Sequence, residues 1–286
     1  MGLFILILLS LLPLSVLYVL SNGIYFFLFN VLKYRRKVVI QNLSNAFPNK
    51  TNIELLRIEK EFYRFLSALI VEIVKMNTIS KKELLKRFRF KNADRIAHYL
   101  KNGQSVLVCA AHYGNWEWGS LAIGLVFSGR NHPIYKPLSN PTINNWLKNA
   151  RSRFGNKMVA MRQTLRALQA YSHQPSIFCF AADQSPTKTE LQYWTHFLNQ
   201  PTSVQLGIEK IAKKTNRPIF YLKVKVLQQG YYEVDCISLC DKPTETAEFE
   251  ITNLHTRFLE QMIKEDPAYW LWSHRRWKHQ PKIKET

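Results

Sequence analysis

Acidic residues are scarce in this chain: 20 Asp and Glu stand against 40 Lys and Arg over 286 residues, a formal net charge of +20. A surplus of that size implies an anionic partner, and leaves nucleic acid, a phospholipid surface or an acidic protein to be told apart. Cysteine is sparse as well. Cys109, Cys179, Cys236 and Cys240 are too few for a disulfide framework. Cys236 and Cys240 have the spacing of half a zinc site, but no second Cys/His pair completes it. Reduced thiols packed as small apolar residues are expected, and no metal. No stretch is rich enough in Gly, Ser or Pro to act as an interdomain linker, and no internal repeat is visible. With 47% hydrophobic and 13% aromatic residues, the chain is excluded from the disordered, collagen-like and low-complexity classes.

Charge of either sign is missing altogether from residues 2–32. At about 1.5 Å per residue, a helix of that length exceeds a hydrocarbon core of about 30 Å. A secretory signal peptide would need a positive n-region, and Met1-Gly2-Leu3-Phe4 offers none. Nor is the Met1-Gly2 start a myristoylation signal, because Leu6 stands where Ser or Thr is wanted. A retained membrane anchor over residues 1–32 is expected, kinked at Pro13 or Asn22-Gly23, as a tilted span or a shallow re-entrant helix. Lys33, Arg35, Arg36 and Lys37 follow it, and positive flanks stay cytoplasmic, so residues 33–286 should form a domain inside the cell.

That remainder reads as an α/β domain with a mostly parallel mixed sheet flanked by helices. Apolar residues recur at helical spacing over residues 53–76, with Thr51 or Asn52 as cap, and a basic amphipathic helix is expected over 81–101. Residues 105–110, 132–135, 176–181, 217–226 and 231–237 read as strands. Helices are expected at 117–127, 142–154, 163–172, 203–215 and 247–266. Runs such as Val106-Leu107-Val108-Cys109-Ala110 are continuously apolar, as strands covered on both faces must be.

The chemistry follows the first of those strands, in Ala111-His112-Tyr113-Gly114-Asn115-Trp116-Glu117. A His followed five positions later by an acid arises by chance and recurs at His255 and Glu260, but within one helix five residues lie on different faces. His112 instead leaves a buried strand through a Gly114-Asn115 turn, which can fold the Glu117 carboxylate back onto the imidazole. The pair would then sit at the carboxyl end of a strand, where open α/β sheets bind ligands. A carboxylate on one ring nitrogen fixes the tautomer, and the other nitrogen can take a proton. With no G-x-S-x-G elbow in the chain, that proton is expected to come from a substrate hydroxyl.

His112, Asn115 and Glu117 resemble the H-x4-D/E motif of the lysophospholipid acyltransferase superfamily, and more closely the H-x-x-N-x-E form of bacterial lipid A biosynthesis (late, lauroyl/myristoyl) acyltransferases. Four further stretches resemble that family in the same order: Arg36 to Leu43 ending in Phe47-Pro48, Ala181 to Gln184, Thr202 to Ala212, and Trp272-Ser273-His274-Arg275-Arg276-Trp277-Lys278. The Glu-Gly-Thr-Arg motif of glycerolipid acyltransferases is absent, which disfavours 1-acylglycerol-3-phosphate as acceptor. The resemblance implies transfer of a fatty acyl chain from an acyl carrier protein thioester to a hydroxyl of a lipid A precursor, at the cytoplasmic face of the inner membrane. His112 would be the base and Glu117 its partner. Asn115, a family arginine falling on Arg151 or Arg153 (with Arg153 preferred), and Asp183 would bind substrate. Arg275 and Arg276 would hold a phosphate or sugar acid by guanidinium forks. No cofactor is implied beyond the thioester co-substrate. The partners are acyl carrier protein, the lipid acceptor and anionic phospholipid, with no nucleic acid. A lysophospholipid or aminolipid acyltransferase of the same fold is the rival, and a non-enzymic basic membrane tether a remoter one.

Overall fold

A computed structural model of the chain describes residues 2–281, so Lys282 and Lys284, the end of the basic C-terminal run, lie outside the described residues. Helices α1 (Gly2–Leu11) and α2 (Leu14–Phe26) are broken at Pro13, and α2 runs on as a π-helical turn, Phe27–Val31, while Asn22-Gly23 passes within α2 unbroken. Then come α3 (Arg36–Ala46) and α4 (Asn52–Lys75). Thr51 caps α4 in a reciprocal box: its hydroxyl accepts from Glu54 N and its own N–H donates to Glu54. The expected helix over 81–101 is interrupted. It divides into α5 (Lys81–Arg87), strand β1 (Phe88–Lys91) and α6 (Ala93–Lys101). Phe88-Arg89-Phe90-Lys91 alternates apolar and basic, and it pairs parallel to a strand from much later in the chain, which overrides helical propensity.

From there strands and helices alternate: β2 (Val106–Ala110), α7 (Trp116–Val126), β3 (Asn131–Tyr135), α8 (Pro141–Ser152), β4 (Val159–Ala160), α9 (Thr164–Ala170) and β5 (Ile177–Ala181). A hairpin unforeseen in the sequence follows, β6 (Trp194–Phe197) and β7 (Gln200–Ser203), turning through Leu198 and Asn199 at positive φ. Then come α10 (Gly207–Thr215), β8 (Ile219–Gln228), β9 (Tyr231–Cys240), α11 (Glu250–Glu265), a 3-10 turn (Pro267–Tyr269) and a run of further turns.

Seven strands form a mostly parallel sheet in the order β1-β9-β8-β2-β5-β3-β4, with β8 and β9 antiparallel. Alternate residues of β2 enter two cores. Leu107 and Cys109 face α3, α10 and α11, whereas Val106 and Val108 face α6 and α7. Both faces are covered, which is why the strand reads as an unbroken apolar run.

Leu14–Val31 is long and apolar enough to cross a membrane, and 22% of that stretch is buried. The buried side, including Leu14, Leu17 and Ser21, lies along the C-terminal half of α4. Phe4, Leu11, Val19 and Phe26 are exposed. Of the basic cluster beyond it, Arg36 turns inward to Glu59 (2.7 Å) and Arg35 donates to Ser273 O, while Lys33 and Lys37 stay on the surface.

Candidate active site

Strands β2 and β5 are parallel neighbours with Ala110 opposite Ala181. Each chain leaves the sheet at the same end, so the second residue beyond each strand, His112 and Asp183, meets the other. Asp183 Oδ1 is 2.7 Å from His112 Nδ1, and Oδ2 accepts from the backbone N–H of His112 (3.0 Å) and from Trp270 Nε1 (2.9 Å). The turn is held from its far side too. His112 O accepts from Leu271 N, and Gly114 N donates to Tyr269 O. Gly114 has φ +59°, and a Cβ there would lie 2.8 Å from Val224 Cγ1, so only glycine fits.

Burial opposes charge on both members of this pair, and each partner's charge overcomes it. Asp183 is held down to about 2, chiefly by the imidazole against the penalty of burial. For His112 burial pulls the pKa down, but the Asp183 carboxylate outweighs it and the net shift is upward. An ionised Asp183 requires Nδ1 to carry the hydrogen, which leaves the lone pair on Nε2. That nitrogen lies 3.3 Å from the Gln184 amide nitrogen, with the Trp116 ring edge-on at 5.1 Å between centroids, and the His112 side chain is 20% exposed. The site can therefore accept a proton at Nε2 and stabilise the resulting imidazolium.

Glu117 takes a different place from the one its spacing suggested. Both of its oxygens go to Arg151, one of them 2.6 Å from Nε, in a bidentate pair inside the first turn of α7. The Glu117 charge still raises the His112 pKa, but the hydrogen bond to the imidazole comes from Asp183, just beyond β5. The two candidates for the family arginine separate. Arg151 reaches the site, whereas Arg153 donates to Met76 O and Ile79 O beyond the end of α4. Asn115 lies in the interior. It is fully buried, and its side chain caps α7 by accepting from Trp118 N (2.8 Å).

The two C-terminal arginines part company. Arg275 is exposed, while Arg276 is 4% exposed and turns beneath Asp183, donating to Ser203 O. Burial pushes its guanidinium down to about 10. Tyr221, His255 and Arg276 line a small cavity on that side of Asp183. The block that carries these arginines is bound to α3 through Asn42, whose amide donates to Trp272 O and His274 O. Burial raises the Cys109 thiol and pushes Cys179 up to about 12, so neither is a nucleophile at neutral pH. Among the described residues no cluster of three His, Cys, Asp or Glu could hold a metal. Sequence reasoning missed Gln184, Trp270 and Glu72 as site-building residues. Gln184 follows Asp183 directly and could have been found once β2 and β5 were paired; Glu72 left no local signal.

A family model described as bacterial lipid A biosynthesis acyltransferase matches residues 1–279. The chain is 21% identical over 280 residues to a lipid A biosynthesis acyltransferase of Haemophilus influenzae, covering 95% of this chain and 85% of that one. It is 21% identical over 272 residues to the lipid A biosynthesis lauroyltransferase of Escherichia coli K12, at 94% and 88% coverage. To the lipid A biosynthesis palmitoleoyltransferase of the same strain it is 23% identical over 255 residues, at 87% and 81% coverage.

Proposed function

The chain belongs to the bacterial lipid A biosynthesis acyltransferase family, and from that premise we propose that it moves a fatty acyl group from an acyl carrier protein thioester to a hydroxyl of a lipid A precursor. The observation that carries the chemistry is the His112–Asp183 pair, which occupies Nδ1 and leaves Nε2 with the lone pair. The acceptor hydroxyl gives its proton to Nε2 as its oxygen attacks the thioester carbon. On collapse the C–O bond is kept, the C–S bond breaks, and the imidazolium returns the proton to the departing thiolate. A thioester is already activated, so alignment, a base and donors to the developing oxyanion are what the protein must add. Asp183 holds the tautomer and balances the transient charge. Glu117 and Arg151 fix the first turn of α7 beside it.

The exposed face of the N-terminal helices, with Lys33 and Lys37 at its end, supports attachment to the cytoplasmic side of the inner membrane. Each basic residue near an anionic surface contributes about 1 kcal/mol. The test uses purified protein in vesicles containing anionic phospholipid, supplied with acyl carrier protein thioester and either a lipid A precursor or a lysophospholipid. Acylation of the lipid A precursor that is lost in His112→Ala supports the reading. Exclusive use of lysophospholipid overturns the acceptor, and full activity of His112→Ala overturns the base.

A further inference from the structure

Glu72 is fully buried near the end of α4, and the reaction just described makes no use of it. Three side chains donate to its carboxylate. Tyr18 Oη, from α2, lies 2.8 Å from Oε1; Asn115 Nδ2 and Tyr232 Oη, from the His112 turn and from β9, lie 2.6 and 2.7 Å from Oε2. The backbone carbonyl of the same residue accepts from Trp118 Nε1 (2.9 Å), so α7 is gripped twice at its start. Asn115 cannot flip its amide, because its Oδ1 already accepts from Trp118 N. Its orientation therefore depends on having an acceptor at position 72.

The N-terminal segment is joined to α4 by more than apolar contact. Lys75 Nζ donates to Ser10 O (2.8 Å) and Leu12 O (2.9 Å), closing the break between α1 and α2. Further along, Arg64 lies over the Tyr25 ring and Phe29 packs edge-on to Tyr63. The segment thus runs antiparallel to the C-terminal half of α4, with Tyr18–Glu72 linking it to the interior beside the His112 turn. Burying a carboxylate merely to fill space is unfavourable against an apolar side chain of the same size. A carboxylate with three specific donors does something an apolar residue cannot, which is to fix relative orientation.

We infer that Glu72 is a positioning residue, joining Tyr18 of the N-terminal helix to Asn115 of the catalytic turn, so that the seating of that helix sets the angle at which His112 meets substrate. The inference rests on His112 acting as base. It makes the membrane-facing segment part of the active-site scaffold, not only a tether.

The experiment exchanges donor and acceptor in the full chain, in the vesicle assay with acyl carrier protein thioester and lipid A precursor. Asn115→Asp sets a carboxylate against Glu72 and should lower kcat by about 100-fold with KM within about threefold, as misplacement of a reacting group does. Glu72→Gln alone keeps an oxygen for Asn115 and Tyr232 and can donate to the Tyr18 oxygen, so its kcat should stay within about threefold. Combined with Asn115→Asp, it restores the pairing in reverse and should recover at least about tenfold, a coupling that independent structural losses do not show. Tyr18→Phe leaves Glu72 Oε1 without its donor, so it should lower the melting temperature somewhat and kcat about tenfold with KM little changed. A double variant no better than Asn115→Asp overturns the inference, as does an unchanged kcat in Tyr18→Phe. Should His112→Ala remain active, the base assignment fails, and the exchange cycle still reads whether Glu72 and Asn115 are coupled.

Discussion

Two buried carboxylates hold the His112 turn from opposite sides, and their surroundings shift their pKa values in opposite directions. Asp183 accepts from an imidazole that can carry positive charge and is held down to about 2. Glu72 accepts from two phenols and an amide, all neutral, and burial raises its pKa despite all three donors. Depth does not separate them, since Glu72 is 0% and Asp183 6% exposed. The charge available to the partner does. In the proposed mechanism the carboxylate that faces the imidazole takes part in the reaction, and the one that faces neutral donors belongs to the frame.

The comparison can be broken most severely at its centre. His112→Ala removes the base and should lower kcat by about 10³-fold or more, measured as acyl transfer in vesicles. Asp183→Asn comes next, at about 100-fold in kcat, because the amide holds the ring without balancing its charge. Its pH profile carries the sharper evidence. His112 must be neutral to act, and the Asp183 charge raises its pKa, so wild-type activity should rise with pH through a value above the ordinary 6.5. With that charge gone, burial and the Arg151 charge, which lower the pKa, are opposed only by Glu117, and the rising limb should move to lower pH.

Smaller effects fall on the frame. Arg151→Met leaves Glu117 as an uncompensated, 4% exposed carboxylate and should cost about 3–5 kcal/mol in denaturant unfolding. Smallest is the signed contrast in stability against pH. Asp183, depressed in the folded state, contributes stability that is full above its unfolded value of about 3.9 and lost as pH falls toward about 2. Glu72, raised in the folded state, behaves oppositely: its ionisation weakens the fold as pH climbs above the unfolded value of about 4.3. Glu72→Gln should therefore stabilise the protein at neutral pH and change little at pH 4, read as melting temperature. A loss of stability at neutral pH would remove the distinction between the two carboxylates.

How far the sequence disclosed all this differs by element. The parallel sheet was legible because β2 and β5 are covered on both faces and read as apolar runs. Strand β1 was hidden in a stretch with good helical pattern, since its pairing with β9 spans more than 140 residues. The same limit governs the site. The sequence requirement for a carboxylate on His112 was sound, but spacing pointed to Glu117, five positions away, and contact came from Asp183, 71 residues on. Strand register, not local spacing, decides such pairs. Arg151 and Arg153 flank the end of α8, and only the fold shows that one turns to Glu117 and the other to the end of α4.

Trp270 donates to Asp183, and Leu271 closes onto His112, while Asn42 grips the carbonyls of Trp272 and His274. These contacts give the site a place in time. Synthesis at about 5–20 residues per second brings out the N-terminal helices and β2 well before residues 270–274 exist. The apolar segment can reach a bilayer while the imidazole still lacks its final supports. On the proposed membrane attachment and mechanism, the chain meets its lipid surface before the supports from residues 270–274 are in place, and the site is complete only once they pack against α3 and the His112 turn.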